Sequence, residues 1–168
     1  SPAYVFYAGY TIFYQGQSHQ MNFNSPPDTP VESAKRWFDQ AVDEATTPNP
    51  LSMVLSTVNN KGLPSSRVVL HKGFDDSGIV FFTNYQSDKA NDILLHEGVS
   101  LLFHWDNMQR QLRIQGSATK LTNEESDAYF ATRSRRSQIG AWASDQSKPL
   151  GSREALLEKA VTLNEKWD

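Results

Sequence analysis

The sequence predicts a mainly β domain with helices, an antiparallel barrel rather than a parallel doubly wound sheet. Three observations carry this expectation. Short apolar runs at Ser52–Val58, Pro64–Lys72, Ile79–Thr83, Val99–Trp105 and Arg110–Leu121 read as five strands in succession. The turns at Asn59-Asn60-Lys61-Gly62, Phe74–Gly78 and Asp106-Asn107 are too short for crossover helices, so the strands they join run antiparallel. The long helical periods lie mostly toward the ends of the chain, as in a barrel with helical additions. No Gly-x-Gly-x-x-Gly is present, which removes the dinucleotide fingerprint of the parallel alternative.

Composition bounds the function classes. The 168 residues, 38% apolar and 21% charged, suit one globular domain, taken as residues 31–168 behind an N-terminal extension and linker at 1–30. A net charge of −3 and a pI near 5.8 argue against a nucleic-acid or membrane-surface binder, so an anionic ligand would be held by local cations. There is no cysteine, which excludes disulfides, thiolate metal sites and cysteine nucleophiles and agrees with a reducing, cytoplasmic setting. His19, His71, His96 and His104 show no metal-ligand spacing, and no apolar run is long enough to span a bilayer.

Ser1 to Tyr14 is rich in aromatics but lacks the positive start and cleavage site of a secretory signal. It reads either as a strand packed on the domain or as the remnant of an upstream segment, and Asn24–Pro30, with three prolines, as a linker. Val31, Ala34, Trp37, Phe38, Ala41, Val42 and Ala45 recur every three or four residues, the stripe of an amphipathic helix that the prolines of Thr47–Pro50 end. In Arg67-Val68-Val69-Leu70-His71-Lys72, alternation puts Arg67 and Val69 on one face and Val68, Leu70 and Lys72 on the other, with a cation at each end of a strand expected to be buried. After the next strand, Ser87 is the expected N-cap of a helix from Asp88 to about Glu97, with Ala90, Ile93 and Leu94 inward. Strand, polar loop and helix start with a Lys is a place to hold a phosphate, because the helix dipole favours an anion there. A phosphorylated cofactor across these two strands is the first expectation.

Thr122-Asn123-Glu124-Glu125 reads as a capping-box start of a helix to about Arg133. Tyr129 and Arg133, four apart, share a face of it, and Arg135, Arg136 and Ser137 follow at once. On spacing alone two readings stay open: a second anion site, or surface arginines at a helix end favoured by the dipole. The last helix, Ser152 to about Trp167, presents Leu156, Leu157, Ala160, Val161 and Trp167 as a packing side.

Beyond these patterns, Arg67-Val-Val-Leu-His-Lys72, Phe81-Phe-Thr-Asn84, Ser87-Asp-Lys89, Arg110-Gln111 and above all Arg136-Ser-Gln-Ile-Gly-Ala-Trp-Ala-Ser-Asp-Gln-Ser147 resemble the pyridoxine/pyridoxamine 5′-phosphate oxidase family. The resemblance covers about Val31 to Asp168. It implies a split-barrel fold, FMN at a homodimer interface, and oxidation of a small phosphorylated vitamin with oxygen as final acceptor. Matching positions imply FMN contacts at Arg67, Val68, Val69, Leu70, His71, Lys72, Phe82, Thr83, Asp88, Lys89, Gln111, Gln146 and Ser147, with Arg67 and Lys89 on the phosphate and Gln111 toward the ring system. They imply a substrate-phosphate site at Lys72, Tyr129, Arg133 and Ser137, and leave the catalytic residue unassigned. Three features depart from the family as it is resembled, one being that the family's N-terminal segment that helps cover the substrate is not recognisable before Val31. Asp88 stands where an Arg is usual, and the family's C-terminal Trp-Gly-Gly and Arg-Leu-His stretches are not among these residues. The alternatives weighed are an FMN- or vitamin-phosphate-binding protein without efficient oxidase activity, and a phenazine-pathway type of flavin oxidase.

Overall fold

The computed structural model describes residues 3–7, 13–15, 30–84, 86–132, 135–143 and 151–166, with the side chains of 3–7, 13–15, 129, 136, 137, 141 and 142 left outside the description. The strands among these residues are β1 (Ala3–Tyr7), β2 (Phe13–Gln15), β3 (Ser52–Val58), β4 (Pro64–Asp75), β5 (Gly78–Phe82), β6 (Gly98–Trp105) and β7 (Arg110–Lys120). The helices are α1 (Pro30–Asp43), α2 (Asp88–Leu95), α3 (Asn123–Thr132), α4 (Arg135–Ala143) and α5 (Arg153–Lys166).

Every strand pairing is antiparallel, in the order β1-β5-β4-β3-β6-β7-β2, and a further β1–β7 ladder closes the sheet on itself. The expected antiparallel barrel is therefore what the five central strands build. Of the two readings of the first residues, Ala3–Tyr7 takes the strand form and pairs with both β5 and β7. The β3–β4 hairpin turns where expected. Asn59 Oδ1 accepts from the N–H groups of Lys61 and Leu63 at 2.9 and 3.0 Å, and Gly62 supplies the left-handed φ of 76° that a side chain would resist.

Alternation sends Met53, Leu55, Phe81, Leu101, Phe103, Leu112 and Ile114 into the barrel, all essentially fully buried. Helix α1 lays Trp37 and Phe38 on this core, where Phe38 stacks on His71 at 4.9 Å and meets Phe74 and Phe103 edge-on at 5.1 and 4.9 Å. Val42, counted with that stripe, is exposed because it sits at the stripe's margin. Strand β4 carries a bulge: His71 pairs with Phe81 and Gly73 with Val80, so Lys72 is the extra residue between them.

Four local expectations need correction. The Arg67–Lys72 strand is not buried: only Val69 is, and Val68 and Leu70 are 66% and 41% exposed on the outer face. On α2 it is Asp92, not Leu94, that turns inward with Ala90 and Ile93, since Leu94 lies a further 100° round the helix and is 68% exposed. Helix α5 buries none of its described residues, with Leu157 and Val161 exposed. Ser137, expected only as following the end of the helix that runs to about Arg133, belongs to the backbone of a separate helix, α4. That helix is tied to its neighbours by polar contacts, Gln138 Nε2 donating to Phe130 O at 2.9 Å and Arg135 Nη2 to Asn164 O at 3.2 Å. The capping box of α3 is present, with Thr122 N–H donating to Glu125 Oε2 at 3.0 Å and Glu125 N–H to Thr122 Oγ1 at 3.2 Å.

Candidate functional site

Strand β4, the end of β5 and the start of α2 enclose a cleft of about 500 Å³. It is lined by Ser65, Ser66, Arg67, Val68, Val69, Phe82, Thr83, Asp88 and Lys89. Seven of these are positions expected at a cofactor. The hairpin that carries β4 sets Arg67 opposite Leu55 of β3, and the short loop after β5 brings α2 back so that Lys89 reaches Thr83.

Hydrogen bonds fix the two cations. Arg67 Nη1 donates to Thr57 Oγ1 at 2.7 Å and to Leu55 O at 3.2 Å, and Nη2 lies 3.9 Å from Asp92 Oδ2. Thr57 in turn donates to Asp92 Oδ2 at 2.7 Å. Lys89 Nζ donates to Thr83 Oγ1 at 3.1 Å, and the Thr83 and Ser87 hydroxyls are 3.0 Å apart. Ser87 holds the N-cap position of α2 but makes no side-chain cap; its hydroxyl donates to Asn84 O at 2.7 Å and closes the loop instead.

The electrostatics suit an anion. Burial pushes the Arg67 guanidinium below its ordinary value, while Asp92 and then Asp88 pull it up. Burial likewise lowers the Lys89 ammonium, Arg67 lowers it further, and Asp88 opposes both. Two cations whose charge is disfavoured by desolvation and by each other gain from an anion that enters between them. Asp88 is the one acid among the residues lining the cleft, so its carboxylate shares the space with whatever binds.

The other expected positions lie elsewhere or outside the description. Leu70 and Lys72 are exposed on the outer side of β4. His71 turns toward the core, where burial and then Lys72 lower its imidazole to about 4, and its Nε2 has no hydrogen-bond partner. Gln111 is half-buried on β7, paired with His104 and Gln15. The side chains of Tyr129 and Ser137, and Arg133, Gln146 and Ser147 entirely, are outside the described residues. Sequence reasoning missed Thr57 and Asp92. The available signal was an acid four residues after Asp88 on a helix and a lone hydroxyl among the inward positions of β3. Among the described residues no group of acids and histidines is arranged to hold a metal, and no helix is long and apolar enough to cross a membrane.

Comparison with known proteins gives the geometry its context. The family model described as Pyridoxamine 5'-phosphate oxidase matches residues 38–166. Proteins named pyridoxine/pyridoxamine 5'-phosphate oxidase from Cupriavidus necator and Rubrobacter xylanophilus are each 47% identical to this chain. The matches cover 84% of this chain in both cases, and 66% and 64% of the relatives. The chain thus spans about two thirds of the length of the curated relatives it matches. Among solved structures, PhzG from Burkholderia lata in complex with tetrahydrophenazine-1-carboxylic acid superposes with a TM-score of 0.81 at 32% identity, covering 89% of this chain and 75% of its own. A pyridoxamine 5'-phosphate oxidase-related FMN binding protein from Nostoc punctiforme shares the fold, with a TM-score of 0.64 at 19% identity over 77% of this chain and 71% of its own. Three-quarters of the sequence answering to one family model, on a barrel that these structures share, means that the chain belongs to the pyridoxamine 5′-phosphate oxidase family.

Proposed function

We propose that this chain is the FMN-binding part of an oxidase that converts pyridoxamine or pyridoxine 5′-phosphate to pyridoxal 5′-phosphate with oxygen as acceptor. The observation that carries the reading is the cleft, lined by Arg67, Lys89, Ser65, Ser66 and Thr83 beside the start of α2. That donor set fits a phosphate: two cations, several short hydroxyl donors and the positive end of a helix dipole. Arg67, Lys89 and Thr83 hold the FMN phosphate, the β4 and β5 residues Val68, Val69 and Phe82 line its path, and Gln111 offers an amide to the ring system. When bound, FMN supplies the two-electron acceptor chemistry, which no side chain of this protein provides.

The substrate half of the proposal rests on Lys72, Tyr129, Arg133 and Ser137. These anchor the phosphate of the vitamin, so that binding energy from a non-reacting group orients the reacting carbon. A homodimer belongs to the same reading, supported by the apolar outer face of β4 at Val68 and Leu70. So does a cytoplasmic setting in vitamin B6 metabolism.

A second reading is supported by the likeness to PhzG: a tricyclic phenazine precursor in place of the vitamin phosphate. The two separate on one assay. Protein loaded with FMN should release peroxide on addition of pyridoxamine 5′-phosphate and not on addition of tetrahydrophenazine-1-carboxylic acid. Peroxide with the second compound alone favours the phenazine reading, and flavin bound without peroxide from either favours a binding protein. The anchor is tested by Arg133→Lys, which keeps the charge and loses the planar fork. Titration with pyridoxal 5′-phosphate should then show affinity lower by about 5- to 150-fold, with flavin content unchanged. Equal affinities would leave Arg133 as a helix-end cation.

A further inference from the structure

We propose that Thr57 and Asp92 are positioning residues for Arg67, holding its guanidinium so that it meets an anion in one orientation. The inference rests on the cleft being the FMN phosphate site and adds two residues that do not line it.

The polarity of the contacts is determined by chemistry. An ionised Asp92 only accepts, so the single hydroxyl hydrogen of Thr57 goes to its Oδ2 at 2.7 Å. The Thr57 oxygen is then committed as an acceptor, and Arg67 Nη1 donates to it at 2.7 Å. The second hydrogen of Nη1 goes to Leu55 O at 3.2 Å. Nη1 is thereby used up, and the hydrogens of Nη2 and Nε are those that can reach a ligand. Asp92 at 3.9 Å from Nη2 holds that end of the fork by charge without taking a hydrogen bond at normal length.

Stability alone does not account for this arrangement. Thr57 is 1% exposed and follows Met53 and Leu55 along the inward side of β3, where a valine of the same shape would pack. Asp92 occupies an inward position of α2. A buried charge pair is often no more stabilising than apolar residues of similar volume. What these two residues achieve that valine and leucine would not is a fixed guanidinium. An arginine tied down before the ligand arrives loses less rotamer freedom on binding. Asp88 differs in kind: it lines the cleft and faces the ligand space, whereas Asp92 stands behind Arg67.

The test uses Thr57→Val, which changes neither charge nor shape, with Thr57→Ser as the variant that restores the hydroxyl. Flavin-free protein is titrated with FMN and in parallel with riboflavin, which lacks the phosphate, following the quenching of flavin fluorescence. Thr57→Val should bind FMN about five- to tenfold more weakly, a smaller loss than removal of Arg67 itself, because the guanidinium remains but is no longer held in place before the ligand arrives. Riboflavin affinity should not change, and Thr57→Ser should recover FMN binding. Asp92→Asn should weaken FMN binding in the same sense, and neither change should add to the loss caused by Arg67→Ala. The proposal is overturned if Thr57→Val binds FMN like the parent, if riboflavin weakens in step, or if the losses add fully to that of Arg67→Ala. If Arg67→Ala itself leaves FMN affinity unchanged, the phosphate lies elsewhere and both readings fall together.

Discussion

At the scale of single residues, the cleft is held near electrical balance. Arg67 and Lys89 face Asp88 and Asp92, two charges of each sign, so a phosphate dianion brings an excess that the site does not fully neutralise. Arg67→Ala or Lys89→Ala should lower FMN affinity by about 10- to 150-fold, the worth of one charge-assisted hydrogen bond. Asp88→Arg should raise it by about tenfold or more, while costing roughly 0.3–1 kcal/mol of stability because a cation then sits at the positive end of α2. Fluorescence titration and thermal melting of the same samples check both signs; unchanged affinity in Asp88→Arg would mean that this carboxylate does not reach the phosphate. His71 gives a separate prediction. Its imidazole is lowered to about 4 in the folded chain against an ordinary 6.5, so the fold is at full strength above pH 6.5 and weakens as pH falls from there toward 4. His71→Leu should flatten that decline by up to one proton, about 1.4 kcal/mol per pH unit, in urea denaturation at stepped pH. A slope identical to the parent's would assign the acid lability to other groups. Arg67 and Lys89 were legible in the sequence because a cation beside an apolar strand or at a helix start has few structural uses. Asp92 was not, because an amphipathic pattern prefers Leu94 inside; only the proximity of Thr57 and Arg67 makes an inward carboxylate tolerable.

At the scale of elements, the strands and hairpins followed from period and turn chemistry, and the errors fell where those signals are weak. Helix α4 has Gly140 in its interior, is tied to Phe130 and Asn164 by polar contacts, and among its described side chains buries Ala143 alone, so no apolar stripe announced it. The β6–β7 connection was placed at Asp106-Asn107, and there a 3-10 turn at Asp106–Met108 ends on Gln109 with φ 51° and ψ 42°. A left-handed backbone at a side chain with no preference for it costs about 1–2 kcal/mol, against roughly 0.5–1 kcal/mol for the extra freedom of an unfolded glycine. Gln109→Gly should therefore stabilise the protein by about 0.5–1 kcal/mol, raising its melting temperature by a few degrees. A lower melting temperature would show that the Gln109 side chain holds the turn through contacts worth more than the strain.

At the scale of the whole molecule, the apolar surface left over is the part that no single-chain pattern could read. Alternation correctly separated the two faces of Arg67–Lys72, but whether the outer face meets solvent, a helix or another copy is not encoded in a period of two. Val68 and Leu70 stand exposed on that face, and Leu157 and Val161 on α5. A homodimer that covers the β4 face should sediment as a dimer at micromolar concentration, and Leu70→Glu should shift it toward monomer by placing a charge in an apolar contact. A parent that sediments only as monomer would remove the dimer from the proposal.

The bulge at Lys72 gives β4 two frames on one backbone. Upstream of it the odd-numbered residues Arg67, Val69 and His71 turn inward; downstream it is Phe74 that reaches the core, against Phe38. The strand therefore joins a half that lines the cleft to a half that seals the core, with inward positions out of phase by one residue. Substitutions in the first half can alter ligand chemistry while the second keeps the aromatic contacts closed. With Lys72 left out, His71, Gly73 and Phe74 would face Phe81, Val80 and Ile79 in unbroken alternation and Phe74 would stay inside, whereas drawing Lys72 into a regular ladder would swing Phe74 to the outside; the extra residue is what lets one strand serve both halves.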